Sequence, residues 1–369
     1  MKNVLLKHYF RKISESFEIY GDYISAAPYG SGHINDTYRV SFRQGGAAIN
    51  YIFQRINHNV FKNPPALMEN IDRVTTHIFN KIKGSKDATR HTLVIIKTKD
   101  CKTYHQDADG NFWRVYVFIE KAKTYDVIEK DSQAYQAAQA FGEFQKRLVD
   151  LPGAKLHETI PNFHNTPKRF EALEQAIAAD VAGRVKLAGP EIDFVLKRKA
   201  DASLLLNLNA QGAIPERITH NDTKLNNVML DDKTGDGICV IDLDTVMPGL
   251  IHYDFGDMVR TSTSPAAEDE KDLSKVTMQF NMFEALLSGY LSTAKSFLNP
   301  AELEYLPFAG KLITMEIGTR FLTDFLSGDV YFKIHRENHN LDRCRTQFKL
   351  VASIEEQMNK MMQLLKTLK

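Results

Sequence analysis

Residues 219–242 constrain the fold more than any other part of the chain, because a cluster of polar residues leads directly into two short apolar runs. The sequence reads "THNDTKLNNVML", then "DDKTGDG", then "ICVID". The middle segment is rich in turn residues, and each flanking run has the length and composition of a short strand. The pattern therefore predicts a β-hairpin.

The predicted hairpin brings three oxygen-bearing side chains together at its open end. Asn227 starts one strand, Asp242 ends the other, and Asp222 lies a few residues upstream in the loop. Mg²⁺ prefers oxygen ligands and completes its shell with water and substrate phosphates. A third carboxylate, free of metal, would orient or deprotonate a hydroxyl. The arrangement suits phosphoryl transfer, where catalysis is mostly positioning and charge neutralisation.

The remainder of the chain changes from strand-like to helical patterns. Strands are predicted over residues 36–42, 49–57, 91–98 and 111–120, with one helix over 63–84 that starts at a proline pair and stops at Gly84. From about residue 132 the pattern is helical. This predicts an α+β chain with a β-rich lobe over residues 1–119, a mostly helical lobe over residues 120–369, and a ligand cleft between them.

Composition narrows the classes of partner. Lys and Arg total 47 against 46 Asp and Glu, so no global charge favours nucleic acid or an anionic membrane, and a small molecule is expected instead. Three widely spaced cysteines form no disulfide framework, and no segment has the apolar length of a signal peptide or membrane span. We expect a cytoplasmic protein that is a monomer or small homo-oligomer.

The order of these residues resembles that of kinases. His220, Asp222 and Asn227 match H-x-D-x-x-x-x-N, and Asp242 follows as the metal-binding aspartate. The likeness is closest to the aminoglycoside phosphotransferase-like family of small-molecule kinases, and more narrowly to N-acetylhexosamine 1-kinases. The segments that carry it are "PYGSGHINDTY", "WRVYVFIE", "HNDTKLNN", "IDLDTVMPG", "DFGDMVR" and "RFLTDFLSGDVYF". The resemblance implies a protein-kinase-like two-lobed fold that uses ATP and Mg²⁺.

The resemblance also implies roles for the residues of the hairpin. Asp222 would be the catalytic base, and Asn227 and Asp242 would hold magnesium, while Asp244 would belong to a supporting shell. His220 is interpreted as a residue that holds the loop rather than one that transfers a proton. Lys224 is interpreted either as a phosphate contact or as a solvated loop lysine.

The nucleotide side of the resemblance departs from the kinase pattern. Gly30 and Gly32 would let backbone N–H groups approach the phosphates, but Asn35 replaces the third glycine. Strand alternation places Ile52, Gln54 and Ile56 on one face and Tyr51, Phe53 and Arg55 on the other. In the resemblance, Gln54 stands where a kinase carries its phosphate-pairing lysine. An amide donates a hydrogen bond to phosphate but supplies no charge. Residues 118–120, from Phe118 to Glu120, would offer backbone groups to adenine.

Three acidic features lie outside the predicted hairpin. On the predicted helix, Asp72 or Glu69 would replace the glutamate that pairs with the kinase lysine, although no lysine is present. In "YDFGDMVR", Asp254 is interpreted as a helix cap or a member of a surface ion pair. The acidic run from Glu268 is interpreted as a solvated loop or helix start.

The acceptor side is predicted from the C-terminal region. Glu316, Arg320 and Asp324 form a charged stripe, which fits either a solvated ladder or one wall of the cleft, and the resemblance places Arg320 and Tyr331 near a sugar. The stretch "YFKIHRENHNLDRCR" is net basic, which disfavours a polycationic aminoglycoside. Joined to this basic region, the resemblance implies phosphorylation of the anomeric hydroxyl of an N-acetylhexosamine.

Two alternatives stay open at this point. The first is a related small-molecule kinase that acts on a different sugar, an amino alcohol or an aminoglycoside. The second is a nucleotide-binding pseudokinase with a regulatory role, because Gln54 replaces the lysine.

Overall fold

The N-terminal part of the chain forms an antiparallel sheet with one helix against each face. A computed structural model describes residues 2–30 and 34–368. The strands follow the order β1-β2-β3-β6-β4, and β5 pairs with β6. The elements are α1 (Lys2–Ser14), β1 (Asp22–Pro28), β2 (Asp36–Gln44), β3 (Ala47–Ile56), α2 (Pro64–Ile82), β4 (Ile95–Ile96), β5 (His105–Gln106) and β6 (Phe112–Val117).

Side-chain alternation along β3 divides the sheet into two faces. Tyr51 and Phe53 pack with Phe10 of α1, whereas Ile52 and Ile56 pack into the larger core beneath α2. The predicted alternation along β3 is therefore confirmed. Helix α2 is also confirmed; its N-terminus is capped by Asn63, whose side chain accepts a hydrogen bond from the Ala66 amide at 3.2 Å.

One predicted strand is much shorter in the structure. The apolar run over residues 91–98 predicts a full strand, but only Ile95–Ile96 pairs, with β6. The run ends early because Thr98 bridges to Phe17 and closes a turn with Lys102. Apolar composition alone does not distinguish a long strand from a short one followed by a turn.

The predicted hairpin is confirmed, and a third strand joins it. Strands β9 (Val228–Asp231) and β10 (Gly237–Val240) pair antiparallel, and β7 (Ala122–Lys123) adds to the edge of β9. A short 3₁₀ turn, Leu225–Asn227, precedes β9. Strand β7 follows the connection between the two parts of the chain, so the hairpin is tied to that connection.

The remainder of the chain is mostly helical, which confirms the α+β class. A further two-stranded sheet is formed by β8 (Arg217–Thr219) and β11 (Met247–Gly249). The helices are α3 (Asp131–Leu148), α4 (Thr166–Ala179), α5 (Gly189–Leu196), α6 (Leu204–Ala210), α7 (Ile251–Ser262), α8 (Phe280–Ala294), α9 (Pro300–Glu304), α10 (Leu306–Leu326) and α11 (His339–Leu368). Within residues 2–30 and 34–368, none of the helices has the length and hydrophobicity needed to cross a membrane.

Candidate functional site

Asp222 and Asn227 are in direct contact at the open end of the hairpin. The Asn227 side-chain amide donates to the Asp222 carboxylate at 3.1 Å and to its backbone carbonyl at 2.7 Å. The Ile241 amide donates to the Asn227 carbonyl at 2.9 Å, which places Asp242 next to the pair. The structure therefore brings together the three residues that the hairpin pattern predicted.

A buried carboxylate fixes the loop that carries Asp222. Asp254, in the first turn of α7, accepts hydrogen bonds from the His220 amide at 2.9 Å and the Asn221 amide at 2.7 Å. Gln145 of α3 donates to the same carboxylate at 2.6 Å. The interpretation of Asp254 as a cap or surface ion pair is wrong, because the loop lies directly above α7 and its free N–H groups need an acceptor.

His220 is fully buried and anchors the same loop. Its Nε2 lies 2.8 Å from the Ile241 carbonyl, and its Nδ1 lies 3.3 Å from the Asp222 amide. The rings of Phe141 and Phe144 pack edge-on against it. These contacts agree with the interpretation of His220 as a structural residue of the loop.

Asp222 is held as a carboxylate by its surroundings. Burial opposes ionisation, but the positive charge and hydrogen bond of Lys224 and the charge of Arg260 outweigh it, so the pKa of Asp222 is lowered. The Lys224 ammonium lies 2.8 Å from Asp222 Oδ1. Lys224 is therefore an ion-pair partner of Asp222, and about two-fifths of its side chain stays accessible to solvent.

Asp242 has the opposite electrostatic environment. Asp242 is partly accessible to solvent, but the protein around its carboxyl group displaces water from it. This desolvation, together with the negative charges of Asp244 and Asp222, raises the pKa of Asp242 to about 6. Its backbone is left-handed, with φ 57°. Asp222 and Asp244 are each paired with a cation, whereas Asp242 has no ion-pair partner among the described residues, so a bound cation would stabilise its ionised form.

Arg114 is a member of the site that the sequence did not reveal. It lies on β6, is 1% exposed, and forms a buried ion pair with Asp244. Its Nε donates to Gln54 Oε1 at 3.0 Å. Asn35 donates to the second Asp244 oxygen at 2.6 Å. Asp244 therefore joins the N-terminal sheet to the hairpin, and a charged residue within the apolar run "FWRVYVF" was the only signal for this role.

Both ends of the Gln54 side-chain amide are hydrogen-bonded to neighbouring residues of the sheet. Its oxygen accepts from Arg114, and its nitrogen donates to Thr37 Oγ1 at 3.0 Å. On α2, the Arg114 guanidinium donates to the Met68 sulfur at 4.0 Å. Glu69 instead pairs with His157 at the surface. Of the two residues expected to replace the kinase helix glutamate, Glu69 is therefore wrong, because its carboxylate is exposed and pairs with His157, and Asp72 stays a prediction.

The nucleotide-side residues are only partly described. Gly30 has φ +81°, a conformation that favours glycine, whereas Gly32 lies outside the described residues. In residues 118–120, the Phe118 amide donates to Asn50 and the Glu120 carbonyl accepts from Arg90. Within the described chain, the Phe118 carbonyl and the Glu120 amide have no such partner, so these two groups remain for a ligand.

Arg320 and Tyr331 lie together on the far side of the loop. The Arg320 guanidinium is 5.9 Å from the centre of the Tyr331 ring and 5.6 Å from that of Phe163. Glu316, one turn earlier, accepts from His164 at 2.8 Å, and the other ring nitrogen of His164 lies 3.1 Å from the Asn221 carbonyl. Glu316 and His164 thus connect α10, which carries Arg320, to Asn221, the residue before Asp222.

The charged stripe on α10 is not a solvated ladder. Glu316 is fully buried, and Asp324 is 5% exposed. Asp324 accepts hydrogen bonds from the backbone amides of Val330, Tyr331 and Phe332. It therefore shapes the turn that presents Tyr331.

Comparison with known proteins places these features in one family. A model of the phosphotransferase enzyme family matches residues 25–275. Three solved structures share the fold. An aminoglycoside phosphotransferase from Alicyclobacillus acidocaldarius has a TM-score of 0.65 at 11% identity, over 97% of this chain and 96% of that one.

A spectinomycin phosphotransferase in complex with ADP and spectinomycin has a TM-score of 0.59 at 12% identity, over 96% and 98% of the two chains. A choline kinase from Cryptosporidium parvum has a TM-score of 0.58 at 15% identity, over 98% of each. At these identities the likeness to solved structures shows the fold alone.

Proposed function

Because the chain belongs to the phosphotransferase enzyme family, we propose that it transfers the γ-phosphate of ATP to the anomeric hydroxyl of an N-acetylhexosamine in a magnesium-dependent reaction. The observation that carries the phosphoryl-transfer part is the contact between Asp222 and Asn227, beside Asp242. The site combines Asp222, whose carboxylate is kept ionised by Lys224, with Asp242, whose carboxyl group has a higher pKa.

In this proposal Asp222 orients the acceptor hydroxyl and receives its proton. A lowered pKa keeps it in the acceptor form near neutral pH. Early proton removal is not required, because the transition state of phosphoryl transfer is loose and positioning dominates. Lys224, paired to the same carboxylate, brings a positive charge to the place where the transferred group would pass.

Asn227 and Asp242 are the residues that would hold magnesium. The Asn227 amide nitrogen is used by Asp222, and its Oδ1 accepts no hydrogen bond from the described residues, which leaves that oxygen for a cation. Within the described chain, no three His, Cys, Asp or Glu side chains form a cage for a metal. Two oxygen donors fit magnesium, which usually completes its shell with water and substrate phosphates. When bound, it would neutralise phosphate charge.

The nucleotide would lie between the glycine turn and residues 118–120. The carbonyl of Phe118 and the amide of Glu120 have the pattern that an adenine edge requires, and Gly30 permits a close approach of the backbone to phosphate. That the spectinomycin phosphotransferase was solved with ADP supports nucleotide use on this fold. Gln54 would contribute through Arg114 rather than as a direct substitute for a lysine.

The choice of an N-acetylhexosamine as the acceptor rests on the resemblance to N-acetylhexosamine 1-kinases and on Arg320 and Tyr331. The two side chains lie together and are tied to the Asp222 loop through Glu316 and His164. A site built to pair ring hydroxyls and an acetamido group rejects analogues that lack them, because its own polar atoms would go unpaired.

A related amino-alcohol kinase is the second candidate, since choline kinase shares the fold. A pseudokinase is the third, because Gln54 carries no charge and both its amide atoms are engaged within the sheet.

The test is an acceptor panel at fixed MgATP, with ADP release as the readout. N-acetylglucosamine, N-acetylgalactosamine, glucose, ethanolamine, choline and an aminoglycoside would be compared. We expect kcat/KM to be highest for an N-acetylhexosamine, and Arg320→Ala to raise its KM more than it lowers kcat. A preference for ethanolamine or choline would favour the amino-alcohol kinase, and no turnover with tight ADP binding would favour the pseudokinase.

A further inference from the structure

Thr37, Gln54 and Arg114 form one row across three strands of the N-terminal sheet. In the antiparallel register, Gln54 on β3 lies opposite Thr37 on β2 and opposite Arg114 on β6. Directly paired residues lie on the same face of a sheet. The three side chains are also hydrogen-bonded to one another, because Gln54 donates to Thr37 Oγ1 at 3.0 Å and accepts from Arg114 Nε at 3.0 Å.

This row faces the hairpin that carries the candidate metal ligands. Arg114 forms its ion pair with Asp244 in the turn after β10, and its positive charge also favours the ionised form of Asp242. The second Asp244 oxygen accepts from Asn35, which directly precedes β2 and follows the turn that contains Gly30. The row therefore lies close to the positions proposed for the nucleotide phosphates and magnesium.

Arg114 fixes the orientation of the Gln54 amide. A glutamine can flip its amide, so that either its oxygen or its nitrogen occupies a given position. The Nε of arginine is a donor and never an acceptor, so the Gln54 atom beside it has to be the oxygen. The nitrogen is thereby directed to the opposite side, towards Thr37.

This orientation decides whether Gln54 attracts or repels a phosphate. The amide nitrogen carries two hydrogens, of which Thr37 accepts one, and among the described residues the other has no acceptor. Gln54 is partly exposed, whereas Arg114 is 1% exposed. One N–H group is therefore available to a phosphate oxygen, and the amide oxygen, which would repel phosphate, is held by Arg114.

We propose that Arg114 is a positioning residue that makes Gln54 a hydrogen-bond donor to a phosphate of the bound nucleotide. Arg114 itself does not contact the nucleotide, because its guanidinium is buried and paired with Asp244. It holds the Gln54 oxygen, so that a neutral amide at the position of the kinase lysine still presents an N–H group. The inference rests on the proposed function and explains how the protein binds nucleotide without that lysine.

The first test compares Gln54→Glu with Gln54→Met by calorimetric titration of a non-hydrolysable ATP analogue with Mg²⁺. Both replacements are close to glutamine in size, but glutamate keeps the acceptor for Arg114 and loses the donor. Gln54→Met should raise the Kd about twofold to tenfold, the loss of one net hydrogen bond. Gln54→Glu should raise it at least about tenfold further, because a carboxylate and a phosphate repel each other.

Two controls separate a phosphate contact from a general disturbance of the site. Gln106→Glu adds the same charge at an exposed position of β5 in the same sheet and should leave the Kd unchanged. Adenosine carries the base and ribose but no phosphate, so Gln54→Glu should bind it as the wild type does. Equal losses of affinity for adenosine and the ATP analogue, or equal Kd values for Gln54→Glu and Gln54→Met, would overturn the proposal.

The second test is a double-variant cycle with Arg114→Lys. Lysine keeps a positive charge for Asp244, but one ammonium group replaces the two separate nitrogens that reach Asp244 and Gln54. Arg114→Lys should raise the Kd of the ATP analogue as much as Gln54→Met does, and the two changes together should raise it no further. Additive effects would show that the two side chains act independently and would refute the positioning role. The Gln54 variants test the phosphate contact even where Arg114→Lys does not fold.

Failure of the inference and failure of the proposed function give different results. A wild-type protein that binds no MgATP analogue contradicts both. A wild-type protein that binds the analogue but phosphorylates no acceptor contradicts the proposed function, while the Kd comparison still decides the role of Arg114. A wild-type protein that phosphorylates an N-acetylhexosamine, but whose Kd for the analogue is matched by Gln54→Met and Gln54→Glu, contradicts the inference alone.

Discussion

Arg114→Met tests whether one buried cation joins the sheet to the hairpin. Arg114 and Asp244 are 1% and 2% exposed, and they form an ion pair between β6 and the turn after β10. The substitution removes the charge but keeps an unbranched apolar side chain next to Met68. Asp244 would then be left as a buried carboxylate with Asn35 as its remaining side-chain partner.

The magnitude follows from that uncompensated charge. Removing one partner of a buried ion pair destabilises a protein by about 3–5 kcal/mol. The surviving hydrogen bond from Asn35 reduces the effect, and the loss of the Arg114 donor to Gln54 increases it, so we expect a value near the middle of that range. The double variant Arg114→Met/Asp244→Asn should recover a large part of this loss, because no unpaired charge remains.

The assay is urea-induced unfolding followed by tryptophan fluorescence. The only tryptophan of the chain, Trp113, precedes Arg114 in β6 and reports on this sheet directly. Arg55→Met is the matched control: Arg55 lies on the paired strand β3, and its ion pair with Asp36 is almost half exposed. An exposed pair contributes about 0–1 kcal/mol. An Arg114→Met variant as stable as Arg55→Met would refute the reasoning.

The other predictions concern Asp222, Asp242 and Gln54. Asp222→Asn should lower kcat about 100- to 10,000-fold with near-normal ATP affinity, and a variant that keeps half its activity would remove Asp222 from the role of base. Asp242→Ala should abolish magnesium-dependent ATP binding, measured by calorimetry. Gln54→Ala should have a milder effect and weaken the free energy of ATP binding by about 0.5–1.5 kcal/mol. The raised pKa of Asp242, about 6 against a usual 3.8, means that protons compete with magnesium below pH 6, so MgADP affinity should fall between pH 7 and pH 5. Because the pKa of Asp242 in the folded state lies above the usual value of 3.8, its ionisation lowers stability as the pH rises from about 4 to about 6. Asp242→Asn should therefore unfold at a higher temperature than the wild type at pH 8, and the difference should be much smaller at pH 4. Equal midpoints at both pH values would contradict the assigned pKa.

Features set by short-range patterns were predictable from the sequence. The hairpin of β9 and β10, helix α2 and the two faces of β3 depend on turn residues, a cap and simple periodicities within a few residues. The convergence of Asp222, Asn227 and Asp242 followed from the hairpin alone.

Features set by long-range contacts were not predictable. Asp254 was interpreted as a surface residue because its partners, Gln145 and the His220 amide, lie far away in the sequence. Arg114 stood out only as a charge in an apolar strand, and nothing local identifies Asp244 as its partner. A buried charge signals that a partner exists, but only the folded chain shows which residue supplies it.

Phosphorus NMR of a single reaction tests the central claim most directly. The protein would be incubated with ATP, Mg²⁺ and N-acetylglucosamine, with Asp222→Asn at the same concentration as the control. We predict that the γ-phosphate signal of ATP is lost, that ADP appears, and that a new phosphomonoester signal couples to the anomeric proton of the sugar, whereas the variant gives none of these within the same time. A phosphate coupled to the protons at carbon 6, or an unchanged ATP spectrum with the wild-type protein, would contradict the account.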